Sequence, residues 1–183
     1  MPWLPDLEMA RLPYADPNSV PESLRKVIER TPLSLHGIVA HAESAFEPWL
    51  RYSIALLTRL ELDPLLREFA ILQVAHTVAS PYEWVQHAAI ARRLGASEDH
   101  LAAIERGDDE HPSISEDQRQ VLRFARAVIV DGCASETAVS ELAARLGPRG
   151  VVELLLVIGH YMAIARLIAT AGLEPDPPLA AAG

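Results

Sequence analysis

Apolar residues along this chain recur three and four positions apart, the period of one helix face, and Val and Ile follow that spacing rather than the alternation of a strand. Breaker and cap residues divide the pattern into segments. Pro21-Glu22 opens ESLRKVIER, which stops at Thr31-Pro32. LSLHGIVAHAESAFEPWLRYSIALLTRLEL is periodic, with Gly37 and Pro48 as expected interruptions. Asp63-Pro64 is a cap followed by a proline, and it launches a helix over Leu65–Val78. A break at Ala79-Ser80-Pro81 leads into a second helix that Gly95 ends. Ser97, Ser115 and Ser135, each followed by acidic residues, start three more, and Gly147-Pro148 separates the third from a last helix that Gly172 closes.

The segments predict an all-α protein built around a central helix hairpin, Leu65–Gly95. Residues 1–32 form an N-terminal arm and short helix, and residues 33–175 the helical domain. The Pro-rich start is expected on the surface or on a neighbouring subunit. ERGDDEHP (105–112) is expected as a mobile connection. The end of EPDPPLAAAG, residues 176–183, is expected to be a disordered tail. The longest apolar run, Val151–Ala171, is interrupted by Glu153, His160 and Arg166, and so reads as a buried helix rather than a membrane span.

The hairpin holds the densest group of chemistry-capable side chains. Ser80 fits an N-cap with Pro81 at the first helical position. Ser80, Glu83 and His87 then lie along one face. Ser80 and His87 are roughly 10 Å apart along the axis, too far for a nucleophilic Ser–His pair. Glu83 and His87, four apart, can meet as an acid/base couple. Glu68 falls within the apolar face of the preceding helix, with Leu65, Ile71 and Leu72, and His87 across the hairpin is its natural partner. A capped hairpin whose polar residues only satisfy one another is the plain structural alternative. His36 and His41, five apart, read as packing or surface histidines.

Composition narrows the classes. Half the residues are hydrophobic and 22% are charged, a globular balance. A net charge of −9, with no basic cluster beyond Arg92-Arg93 at a helix end, argues against nucleic acid as partner. A single cysteine, Cys133, excludes an internal disulfide framework. The start, MPWLPDLEMARLPYADP, lacks a signal-peptide layout, so a cytoplasmic location is expected.

Two blocks carry a family resemblance. LxPLLREFAILxVA (62–75), then YEWxxHxxxAxxxG (82–95), with twelve residues from Glu68 to Ser80, resemble the carboxymuconolactone decarboxylase-like family, which includes the alkylhydroperoxidase D proteins. VELLLVIGHYMAIARLIATAGLEP resembles that family's closing helix, so the likeness spans roughly residues 33–175. It implies an alkylhydroperoxidase D-like helical domain assembling as dimers, trimers or hexamers, with a pocket between helices or subunits. The family's redox-active branch carries Cys-x-x-Cys, with a His four residues after the second Cys and a Glu twelve before the first. Those positions fall here on Ser80, Glu83, His87 and Glu68. Both sulfurs are therefore replaced, and Ser cannot supply the low-pKa thiolate of a thiol peroxidase. The branch without thiols resembles decarboxylases acting on a γ-lactone acid.

These readings combine into an expected cofactor-free enzyme doing proton-transfer chemistry on a small organic acid or lactone. Glu68, Glu83 and His87 form its acid/base set, joined by Ser80, with Tyr82 orienting or donating. Trp84, His160 and Tyr161 are the expected pocket walls, although His160 reads more readily as core. The expected partners are a small-molecule substrate and further copies of the chain, with no nucleic acid and no membrane. A non-catalytic oligomeric scaffold or small-molecule binding protein is the alternative. Glu-x-x-x-His is not the Glu-x-x-His of di-iron bundles, so no metal is expected.

Overall fold

The computed structural model describes residues 10–178 apart from positions 17 and 19, and every regular element among them is a helix. In chain order these are α1 (Glu22–Arg30), α2 (Ser34–Val39), α3 (Glu43–Thr58), α4 (Pro64–Thr77), α5 (Pro81–Arg93), α6 (Glu98–Arg106), α7 (Glu116–Asp131) and α8 (Glu136–Ala171). The all-α expectation and the central hairpin, α4–α5, both hold.

Helix starts follow the capping chemistry. Asp63 accepts from the Leu65 and Leu66 N–H groups at 2.9 and 3.0 Å. The next residue, Pro64, has no N–H to satisfy. Ser97 with His100, and Ser115 with Gln118, close reciprocal capping boxes. Each such cap contributes about 1 kcal/mol.

Two breaks differ from expectation. The turn between α2 and α3 falls at 40–42, while Gly37 lies buried inside α2 and Pro48 inside α3. Pro48 removes a hydrogen bond from the Ser44 carbonyl, but both residues are exposed and water can replace it. The loop after α6 is held rather than free. Arg119 Nε donates to the Asp109 carbonyl at 3.0 Å, and Arg123 Nε donates to the Asp109 carboxylate at 2.7 Å. The break at Gly147 is present, with φ 69 and ψ 167, so α8 consists of two arms.

The core is organised around α4. All ten residues Leu66–Ala75 are buried, so this helix has no solvent face and packs against α5, α7 and α8 at once. Ala70, Ile71 and Val74 join the larger hydrophobic cluster, with Leu154, Val157 and Ile158 of α8. Phe69 and Leu72 join a smaller one with Ala88, Ala91, Leu101 and Leu122. The outward side of α8 is different. Val152, Leu156 and Leu167 stay exposed on one stripe with Gly159 and Ala163, and the space beside Gly159 is open.

Both chain ends fold back. The Arg11 N–H donates to the Ala171 carbonyl at 2.7 Å, and the Ala15 N–H to Gly37 at 3.0 Å. Residues 1–9 of the expected arm lie outside the described residues, as do residues 179–183 of the expected disordered tail. At 176 the tail is ordered by a buried carboxylate. Asp176 Oδ2 accepts from the Ser34 N–H at 2.7 Å, from Ser34 Oγ at 2.9 Å and from the Tyr82 hydroxyl. Gln86 Nε2 donates to the carbonyls of Asp176 and Pro177 at 2.8 and 3.0 Å. Leu33, the residue before α2, makes no side-chain cap, so Asp176 caps that helix from far along the chain.

Asp176→Ala should lower stability by about 1–3 kcal/mol, because it strands the Ser34 N–H and the Tyr82 hydroxyl without an acceptor. Denaturant melts check this, and an unchanged midpoint would refute the capping role.

Candidate active site

The turn between α4 and α5 sets the geometry. Ala79 takes the left-handed conformation, φ 53, and the Ser80 N–H closes back on the Ala75 carbonyl at 2.8 Å. Ser80 stands at the N-cap position but does not cap. Its ψ is 90°, whereas the capping serines 97, 115 and 135 have ψ of 164°, 165° and 157°. Ser80 Oγ is instead buried with no hydrogen-bond partner.

Glu68 is fully buried and held from both sides. Its Oε2 lies 2.7 Å from His87 Nδ1. Its Oε1 accepts from Arg67 Nε at 3.0 Å, while Arg67 NH1 donates to the Leu57 carbonyl at 2.7 Å. Burial alone would push the Glu68 carboxyl up. The His87 imidazole and the Arg67 guanidinium outweigh it and hold Glu68 below the usual carboxylate range. With Oε2 as acceptor, Nδ1 carries the ring proton of a neutral His87, and the lone pair sits on Nε2.

Glu83 behaves in the opposite way. It is buried, and neither carboxyl oxygen has a hydrogen-bond partner. The expected Glu83–His87 couple is therefore not formed, because the imidazole turns across the hairpin to Glu68. Burial pushes the Glu83 carboxyl up to about 8, and nearby Ser80 offsets only part of this without reaching hydrogen-bonding geometry. Two carboxyl groups of one hairpin thus differ in protonation at neutral pH, Glu68 ionised and Glu83 neutral, the separation that assigns base and acid in many active sites.

Tyr161 of α8 completes this group. Its ring stands edge-on to the His87 imidazole, centroids 4.7 Å apart, and its buried phenol feels both Glu68 and Glu83. Other expected members lie elsewhere. Tyr82 points to Asp176 and Ser34, so it anchors the tail rather than the acid/base group. His160 turns to α3, with Nε2 2.9 Å from Ser53 Oγ and its ring against Trp49 and Tyr52. Burial lowers it to about 4. Trp84 is half-buried and packs on the smaller cluster. His36 is buried beside Phe46 and Trp49, and exposed His41 meets the Pro13 carbonyl at 2.6 Å. Arg67 was not among the expected site residues. Its position beside a carboxylate on a helix without a solvent face is the signal that identifies it.

Residues 43–127 match the model of the carboxymuconolactone decarboxylase family. No curated protein sequence matches the chain. Among solved structures, the chain is similar to an uncharacterized peroxidase-related protein with an alkylhydroperoxidase AhpD core from Ralstonia eutropha JMP134. That match has a TM-score of 0.79 at 18% identity and covers 93% of this chain and 94% of the other. A peroxidase-related protein from Silicibacter sp. TM1040 gives 0.78 at 20% identity, covering 94% of each chain. A protein of unknown function from Agrobacterium tumefaciens gives 0.67 at 18%, covering 75% of this chain and 94% of its own. At these identities the structural likeness speaks for the fold.

The protonated Glu83 predicts a pH signature. The folded chain keeps its proton up to about 8, whereas an open chain loses it near the ordinary value of 4.5. Between those values the folded state binds the extra proton, so the Glu83 contribution falls as pH rises and levels off above about 8. Glu83→Gln should remove this fall, on the order of a few kcal/mol. Parallel denaturant melts of both proteins from about pH 5 to about pH 9 check it, and superimposable profiles would refute it.

Proposed function

We propose that this chain, whose residues 43–127 match the model of the carboxymuconolactone decarboxylase family, is an acid–base enzyme acting on a small organic acid or lactone through its own side chains. The observation that supports this most directly is the buried Arg67–Glu68–His87 chain, in which Glu68 takes His87 Nδ1 at 2.7 Å. No described residue hydrogen-bonds the other ring nitrogen. Nε2 takes a proton from carbon beside a carbonyl, or returns one to it. The neutral Glu83 carboxyl gives a hydrogen bond to the oxygen that receives the electron pair. Thiol chemistry has no place in this scheme, since Ser80 and Glu83 occupy the positions of the two sulfurs and Cys133 is exposed between α7 and α8.

His87→Gln leaves the Arg67–Glu68 pair intact. It should cut turnover by about 10²–10⁴-fold while the melt stays near wild type. Glu68→Gln should lose turnover and also about 3–5 kcal/mol of stability, because it leaves Arg67 buried without a counter-charge. The double variant should be no slower than His87→Gln alone, since the two residues act as one unit. The assay is exchange or loss of the carbon-bound proton across a panel of small lactones and keto acids, run beside the melts. Activity that only tracks the folded fraction would overturn the reading.

The same match supports a second copy of the chain as partner on the outer side of α8. Val152, Leu156, Gly159, Ala163 and Leu167 repeat at helical spacing there, and the two small residues allow close backbone approach. Light scattering should give a multiple of 20.0 kDa, and Leu156→Lys should shift it toward that single-chain mass. A wild-type monomer at micromolar concentration would remove this proposal.

A further inference from the structure

Three buried polar atoms at the start of α5 have no hydrogen-bond partner: Ser80 Oγ, Glu83 Oε1 and Glu83 Oε2. Ser80 and Glu83 are 7% and 2% exposed, and they lie three residues apart on the face that also carries His87. A buried donor or acceptor left unmade costs about 1–3 kcal/mol, so three together on one patch point to something that binds there.

The charges around the patch restrict what that can be. Tyr161 of α8 feels Glu83 on one side and the Arg67–Glu68 pair of α4 on the other, and burial with Ser80 accounts for the shift of Glu83 itself. Arg67 is already spent on Glu68 and on the Leu57 carbonyl, and Glu68 carries a full negative charge beside His87. No free cation remains among these groups. The N-terminus of α5 adds only a partial positive charge, and Pro81 removes one of its donors. An anion seated here would be desolvated without a counter-charge.

We infer that Ser80 and Glu83 form a hydrogen-bonding seat for an uncharged oxygen of a small ligand, a carbonyl or hydroxyl, and that any carboxylate the ligand carries stays outside this seat. The inference rests on the proposed acid–base site and narrows its substrate: the part that reaches His87 is a neutral carbonyl such as that of a lactone or ketone. The upward shift of the Glu83 carboxyl agrees, since a protonated carboxyl and a hydroxyl can both donate to such an oxygen.

The test is binding, read separately from turnover. Protein labelled with ¹³C at the glutamate carboxyls, with Glu83 assigned through Glu83→Gln, is titrated with cyclopentanone and with cyclopentanecarboxylate. Cyclopentanone should shift the Glu83 signal saturably below about pH 8, with at least about tenfold weaker binding once Glu83 ionises. Glu83→Gln should bind the ketone without that pH dependence, and Ser80→Ala should bind it more weakly. The carboxylate should leave the Glu83 signal unmoved. Equal or tighter binding of the carboxylate overturns the inference, and so does a Glu83 signal that responds to neither compound, the result expected if ordered water alone fills the seat. Failure of the two readings remains distinguishable. Ketone binding without turnover leaves the seat standing, whereas turnover abolished by His87→Gln with no ketone effect on Glu83 leaves only the acid–base reading.

Discussion

A helix with no solvent face that nevertheless carries Arg67 and Glu68 is the constraint on which the rest of the structure depends. Two charges taken out of water lose several kcal/mol of hydration each, and pairing recovers this only when the geometry is good and the remaining hydrogen bonds are made. Arg67 finds Glu68 and the Leu57 carbonyl, and Glu68 finds Arg67 and His87. That requirement fixes where α5 must run. His87, 19 residues after Glu68, has to return to the same level of the bundle with its ring turned inward. The tight turn at Ala79 and the proline at 81 make this return possible within three residues.

Once His87 is committed to Glu68, Glu83 is left unpaired one turn earlier on the same face, and that isolation is the source of its different protonation. The hairpin thus produces an ion pair and a neutral acid from residues of one type, by position alone. Tyr161 links them from α8. The flank of α5 carrying Tyr82 and Gln86 is used for a different purpose, docking the segment around Asp176.

Much of this was legible in the residues themselves. Asp63-Pro64, Ser97, Ser115 and Gly147 marked helix boundaries because capping and left-handed turns are local chemistry. The Glu68–His87 pair was legible because a carboxylate within an apolar face needs a partner. Other features depended on distant geometry. Ser80 looked like a cap, yet its ψ is set by the turn that brings α5 back onto α4. Glu83 and His87 have the spacing of a pair, but spacing says only that two side chains can meet, not which way an imidazole turns. Asp176 sat in a Pro-rich stretch whose composition reads as disorder, and its partners at Ser34 and Tyr82 are invisible to local pattern. Arg67 went unremarked because nothing local announced that α4 is enclosed on every side.

The bond between Ser34 and Asp176 spans 142 positions, and this separation has a consequence in time. During synthesis α1 to α7 emerge well before Asp176 does, so α2 has no acceptor for its first N–H and Tyr82 has none for its hydroxyl until nearly the whole described chain is available. Contacts of such long range form late, because the loop entropy must be lost before they can be made. The hairpin that carries the reactive groups can therefore assemble first, while its outer flank is fastened among the last steps of folding.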